Sequence, residues 1–300
     1  MAEIGPVRFA EVALEASTRV LPIYRTARSK HIFTQPQLLA TLLLMRFEDW
    51  TFRETEVRLL EHRELRRVLG LKSVPDYTTL YRFMKRLDLK VLDQILAYTV
   101  SRLPARSSAG AEIAVDGTGL SSGSISTYFV KRTGTGPRRH YLKLVVAVDV
   151  GKLAITAQVA HMGPTNDTAS LPELVEKTRA MGPVRLVLAD AEFDSRQNHD
   201  YIRNVAGAMS VIPATRSKVM GRATGIREEM QRNFPKELYS RRGLVETVFS
   251  VIKRKLSAKA PGRTLETQRI QAFLLGVAFN VYRVRPRLLT TPHIPHIIHA

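Results

Sequence analysis

The sequence predicts a mixed α/β sheet flanked by helices and preceded by a small all-α domain, and three observations lead there. Between residues 36 and 100 apolar residues recur three or four apart, and strand-like alternation is absent. From residue 112 short β-like runs take over, the early ones closely joined and the later ones separated by helical stretches. Between the two textures lies RLPARSSAGAE, 102–112, rich in Pro, Ser, Ala and Gly with little to bury. The chain is therefore expected to divide into a helical part, 1–106, a sheet-forming part, 107–285, and a tail, 286–300.

In the helical part PQLLATLLLMRF, TFRETEVRLLE and YTTLYRFMKRLD each carry a helical apolar period. In the last of these Leu80, Phe83, Met84 and Leu87 form one face and Arg82, Lys85 and Arg86 the other, with Asp76 placed to cap the start. Helix 77–88 suits a recognition helix of a helix-turn-helix-like unit, and equally a solvated amphipathic helix. The expected strands are EIAVDGTGLS (112–121), STYFVKR (126–132), YLKLVVAVDV (141–150), LAITAQVA (153–160), VRLVLAD (184–190) and MSVIPA (209–214). Helices are expected at 167–181, 194–205, 241–256 and 266–285. Such connections imply an antiparallel start and a parallel continuation. VKRTGTGPRRHYLK, 130–143, reads as a basic hairpin suited to track a phosphate backbone, or simply as a soluble loop.

Lys and Arg number 46 against 27 Asp and Glu, a formal charge of +19 with a pI near 10.5. So large an excess calls for a polyanionic partner. Nucleic acid and anionic membrane both qualify, but no apolar stretch approaches the ~18 to 20 residues that span a bilayer, and the N-terminus is no signal peptide. The expected partner is therefore nucleic acid rather than membrane, and a reducing cytoplasm fits. The absence of cysteine excludes disulfides and thiolate metal sites, and the eight histidines lack zinc-ligand spacing.

Two acids end buried strands. VRLVLAD is a nearly continuous apolar run that terminates in Asp190, where open α/β sheets bind ligands. IAVDGTG places Asp116 late in a strand, followed by Gly117 and Gly119. Each alone also suits a turn or a cap, as do Asp149, Asp167 and Asp194, while Glu112 and Glu192 stand close by as reserves. A third acid, Glu246, sits in YSRRGLVETVFSVIKRK, 239–255, among Arg241, Arg242, Lys253, Arg254 and Lys255. At ~100° per residue Tyr239, Arg242, Glu246, Phe249 and Lys253 fall in one stripe, opposite Leu244, Val245, Val248, Val251, Ile252 and Leu256. Arg242 and Glu246 also form an ordinary i, i+4 pair. Taken together, three carboxylates suit a pair of Mg²⁺ ions, which favour oxygen ligands and cleave phosphodiesters when held ~4 Å apart.

The stretch from Tyr239 through Arg242 and Glu246 to Lys253 follows Tyr, two residues, Arg, three residues, Glu, six residues, Lys. With AVDGTG around Asp116 and LADAEFDS around Asp190, it resembles the DDE transposases of bacterial and archaeal insertion sequences of the four and five groups. Glu192 and Phe193 depart from the Gly and Tyr often found there. The resemblance covers 107–285 and implies a ribonuclease-H-like catalytic domain with Asp116, Asp190 and Glu246 as ligands of two Mg²⁺ ions, for which Mn²⁺ substitutes. It implies that Tyr239, Arg242 and Lys253 contact phosphates near the element's end; Arg82, Lys85 and Arg86 would read its terminal inverted repeats if helix 77–88 is a recognition helix rather than a solvated amphipathic one. The activity implied is cleavage at the element's ends and strand transfer into target DNA, by a homodimer in a synaptic complex. A nuclease that cuts without joining, and a domesticated DNA-binding regulator, are the alternatives. Glu246 follows Asp190 by only 56 positions, which leaves no room for a large inserted domain.

Overall fold

The computed structural model describes residues 3–28, 30–104, 110–122, 141–215 and 225–284. The expected strand 126–132 and most of the basic hairpin lie outside these residues. Six helices come first: α1 Pro6–Val20, α2 Gln35–Phe47, α3 Phe52–Glu61, α4 Arg63–Val68, α5 Tyr77–Met84 and α6 Leu89–Ser101. The 36–100 pattern does not reach α1, although Phe9, Val12, Ala13 and Ala16 have helical spacing and are buried. Asp76 caps α5, accepting from the Thr78 and Thr79 amides.

Strands β1 Ala111–Ser121, β2 Tyr141–Asp149 and β3 Ala154–Met162 follow, then α7 Leu171–Arg179, β4 Val184–Ala189, α8 Arg196–Asp200 with a π turn to Val205, and β5 Met209–Val211. The sheet order is β3-β2-β1-β4-β5, with β1–β2 and β2–β3 antiparallel and β1–β4 and β4–β5 parallel. An antiparallel start with a parallel continuation is what the connections implied. Helices α9 Ile226–Arg232, α10 Lys236–Ser240, α11 Leu244–Val251 and α12 Leu265–Arg283 complete the described chain.

Alternation along the strands divides the apolar side chains between two layers. Ile113, Val115, Val145, Ala147 and Val187 face α7 and α8, while Ala114, Leu144, Val146, Val148 and Leu188 face α11, α12 and the N-terminal helices. The helical region and the sheet thus share one apolar core. Helix α12 lies along β3, the sheet's edge. Asn280 accepts from the Ile155 amide at 2.9 Å and donates to the Ile155 carbonyl at 2.8 Å, as a neighbouring strand would. Arg269 donates to the Ala160 carbonyl, and a Cβ at Gly276 would collide with Gln158, so close approach there requires glycine. No described helix is long and apolar enough to cross a membrane.

Candidate active site

Val115 on β1 pairs with Ala189 on β4 in parallel register, so the next residue of each strand, Asp116 and Asp190, emerge side by side. Helix α11 packs against β1 and carries Glu246 on its exposed side. All three acids meet one cation. The Arg242 guanidinium lies 2.8 Å from Asp116, 3.6 Å from Asp190 and 2.6 Å from Glu246. Its pairing with Glu246 is therefore one arm of a fork rather than an isolated surface pair.

Burial pushes the Asp116 carboxyl above its usual range; Arg242 and the Gly117 amide pull it back, and Asp190 and Glu246 push it further up. Asp190 is also raised by burial, against the Glu192 amide, which donates to it at 2.9 Å, and against Arg242. One guanidinium against three carboxylates leaves two negative charges uncompensated. Tyr239 is near enough for its hydroxyl pKa to be raised, first by burial, with Arg242 opposing and the three acids adding. Its ring meets Phe234 edge-on at 4.9 Å. Lys253 is exposed and has no ion pair among the described residues.

The expectation of one regular stripe is corrected in part. Arg241–Gly243 is a 3-10 turn and Ile252–Leu256 a π turn, so the rotation per residue is not constant, and Phe249 is buried with Val245 and Val248. The 3-10 turn also sends two adjacent arginines to different acids. Arg242 enters the site, whereas Arg241 joins Arg185 on Glu112, which is buried four residues before Asp116.

Asp149 does form a turn, accepting from the Gly151 and Lys152 amides. Asp167 stands at the N-cap position of the 3-10 turn Thr168–Ser170 and Asp194 just before the α8 cap Ser195, but neither side chain caps the helix that follows it. Asp167 is fully buried, 2.6 Å from the Lys143 ammonium, and Lys143 lies 3.2 Å from Glu192. The Lys143 side chain reaches them by crossing Gly117, where a Cβ would meet both Lys143 and Asp167. Thr168 donates to the Glu192 carbonyl at 2.7 Å, so the loop after Asp190 is held from two sides. The glycine beside Asp116 was the sequence signal for this contact. Asp194 accepts a fork from Arg227 and the Thr215 amide.

Arg82, Lys85 and Arg86 are exposed and have no ion pair among the described residues, while Leu80, Phe83 and Met84 face inward. Lys85 sits over the Tyr81 ring at 5.9 Å.

The mixed 3-2-1-4-5 sheet is ribonuclease-H-like, and it carries Asp116 in the middle of β1, not at its end as the sequence suggested, beside Asp190 just past the end of β4. Residues 108–281 match the transposase DDE domain, and residues 11–86 match a transposase domain, DUF772. The chain belongs to the DDE transposase family, of the kind found in insertion sequences of the four and five groups, and is a DNA transposase. Its fold is similar to that of piggyBac transposase, solved by cryo-EM as a synaptic complex with hairpin DNA. The TM-score is 0.50 at 10% identity, over 95% of this chain and 75% of that one.

Proposed function

We propose that this transposase cleaves DNA at its element's ends and joins the freed 3′-hydroxyls to target DNA, with Asp116, Asp190 and Glu246 holding two Mg²⁺ ions that Mn²⁺ can replace. The observation that carries this reading is the excess of carboxylate at one point of a protein of charge +19. All donors are oxygen, as Mg²⁺ prefers. Among the described residues no three acidic or histidine side chains close around an ion by themselves, because Arg242 lies between them. The residues fit the ions once the guanidinium turns outward.

Bound there, the ions would activate the attacking oxygen and stabilise the leaving one. The protein's own part is to supply fixed negative charge on rigid strands and to neutralise phosphate around it. Asp116 and Asp190 stand on adjacent strands, so their spacing is fixed by the sheet. Arg242, released from the acids, offers a bidentate fork to a phosphate. Lys253 adds a point charge and Tyr239 a hydroxyl donor. Arg82 on α5, with Lys85 and Arg86 in the turn just past its end because the helix stops at Met84 rather than 88, contacts the terminal repeats, and two copies hold two ends together.

Glu246→Gln preserves shape and removes charge. It is expected to abolish Mg²⁺-dependent cleavage of end DNA while binding that DNA as tightly as wild type or tighter, because it repels phosphate less. Near-normal cleavage by this variant would remove Glu246 from the ligand set. A wild-type protein that cuts but never joins a 3′ end to plasmid DNA would be a nuclease, and one that binds ends without cutting would be a regulator.

A further inference from the structure

Away from the acids, the helical region and the sheet meet at a second concave surface. After α11 the chain passes the end of β1, where the Ser121 amide donates to Ala258 at 3.0 Å and the Ala260 amide to Ser121 at 2.8 Å. Just beyond, Lys259 and Arg263 face Trp50, Phe52 and Tyr81 across a cavity of about 770 Å³. A neighbouring cavity of about 590 Å³ shares Thr51, Phe52 and Tyr81 and extends to Tyr77, Arg53 and Arg82.

The walls of this cleft are aromatic and its rim is mainly cationic, with Asp49, 3.9 Å from the Arg46 guanidinium, as the acid among the lining residues. Tyr77 and Tyr81, one turn apart on α5, are each 37% exposed. Phe52 meets Tyr81 edge-on at 5.6 Å, and the Arg53 guanidinium lies 4.5 Å above the Tyr77 ring. Arg53, Arg82, Lys259 and Arg263 have no ion pair among the described residues. Arg46 and Gln271 contribute to the lining from below, each only 2% exposed. The Arg46 guanidinium donates to the Lys259 carbonyl at 2.6 Å, but its Nε and the Gln271 Oε1 have no hydrogen-bond partner among the described residues, and burial pushes the Arg46 pKa down to about 10. A buried donor and a buried acceptor left unpaired are costly unless something fills them.

We propose that this cleft binds one unpaired DNA base, stacked on Tyr81 and Trp50, with its flanking phosphates on Arg53, Arg82 and Arg263. The inference rests on the DNA-transposase reading and adds to it a site for non-duplex DNA. A nucleobase has two flat apolar faces for aromatic walls, an edge that both donates and accepts, and an anion on either side. A base pair stacked in a duplex presents only its edges and cannot enter a pocket between rings. Ser121 lies five residues beyond Asp116, about 17 Å at strand rise, a separation about the length of five base pairs, within reach of one bound DNA.

Trp50 is the chain's single tryptophan, so its emission reports on this cleft alone. The test titrates the full chain, without divalent ion, with a fluorescein-labelled duplex carrying one bulged adenine and with the same duplex fully paired, reading anisotropy and Trp50 emission together. The bulged DNA is expected to bind at least ~5-fold tighter and to quench Trp50, since base stacking on an aromatic ring is worth that much or more. Tyr81→Ala should reduce the preference to within about twofold without weakening paired-duplex binding more than about twofold, and Tyr81→Phe should keep it. Equal affinity for both DNAs with unchanged Trp50 emission overturns the base site while leaving duplex binding intact. An equal quench by paired DNA overturns it too, because the cleft then reads duplex. Failure to bind either DNA at low salt overturns the DNA-binding reading, and this proposal with it. If Tyr81→Ala does not fold, the wild-type pair of titrations decides.

Discussion

Glu112 and Asp116 stand four residues apart on the same strand, and adjacent arginines serve them, yet their surroundings have opposite charge logic. Glu112 has two arginines to itself, Arg185 and Arg241. Asp116 shares Arg242 with two further acids. The first cluster is over-supplied with cation and holds the 3-10 turn against the sheet. The second is short of cation and is therefore a place where an external one can bind. Buried charge clusters in one fold can thus be sorted by what they lack, and only the deficient one suits chemistry on a metal.

The largest expected contrast follows from substituting the two acids in parallel. Asp190→Asn should cut the cleavage rate by roughly 10³-fold or more, since a lost ligand is worth several kcal/mol of transition-state stabilisation. Glu112→Gln should leave the rate per folded molecule within about threefold but lower stability by about 2 kcal/mol in urea, because two arginines lose their partner at a partly screened site. If Glu112→Gln instead abolished cleavage in a folded protein, the contrast between the clusters would be mistaken.

Without metal the ranking in stability should reverse. Burial holds Asp190 above the usual carboxylate range, so between its unfolded and folded values the native state binds more proton than the unfolded chain, and above both its charge costs stability. A raised carboxyl contributes stability at low pH that is lost as pH rises through its folded value. Asp190→Asn should accordingly melt at or above the wild-type temperature at pH 7, with the difference shrinking as pH falls through the carboxylate range. Thermal melts at several pH values in chelator decide this, and a variant less stable at pH 7 than at pH 4, relative to wild type, has the wrong sign.

Arg242→Gln tests the vacancy from the other side. Removing the resident cation should tighten Mn²⁺ binding to the DNA-free protein by about tenfold, while Arg241→Gln should leave it unchanged. Calorimetric titration with Mn²⁺ gives both values. Weaker ion binding in Arg242→Gln would mean that the guanidinium organises the acids and does not compete for them. The smallest effect belongs to α5. Changing Arg82, Lys85 and Arg86 together to Ala should reduce the salt slope of end binding by up to about three, from roughly −0.9 per phosphate contact. An unaltered slope would leave α5 an ordinary amphipathic helix.

Much of this was legible in the sequence, for identifiable reasons. β2 and β4 are apolar on both faces and announce buried strands, and Asp190, just past β4, comes beside Asp116, in the middle of β1, because β1 and β4 are parallel. The Tyr, Arg, Glu, Lys spacing survives local changes in helical pitch, because only Arg242 and Glu246 must meet. Phe249 was misplaced by a uniform 100° wheel, which a 3-10 turn and a π turn break at either end. Asp167 does start a 3-10 turn, but its side-chain partner, Lys143, lies 24 residues away on another strand, a separation that no local pattern encodes. Asp194 is similar, as Arg227 approaches it from beyond β5. The cleft around Trp50 joins α2, α3, α5 and the 259–271 segment, so no single stretch of sequence displays it.

Helix α12 completes the edge of the sheet from the far end of the chain. A protein shortened before residue 264, as a premature stop codon would make it, still carries the three acids and the α5 cations. It would nevertheless expose the Ile155 peptide and the apolar face that α12 covers. Such a fragment should associate through its bare strand and precipitate rather than persist as a DNA-binding competitor, so damaged copies of the gene silence themselves instead of poisoning intact ones.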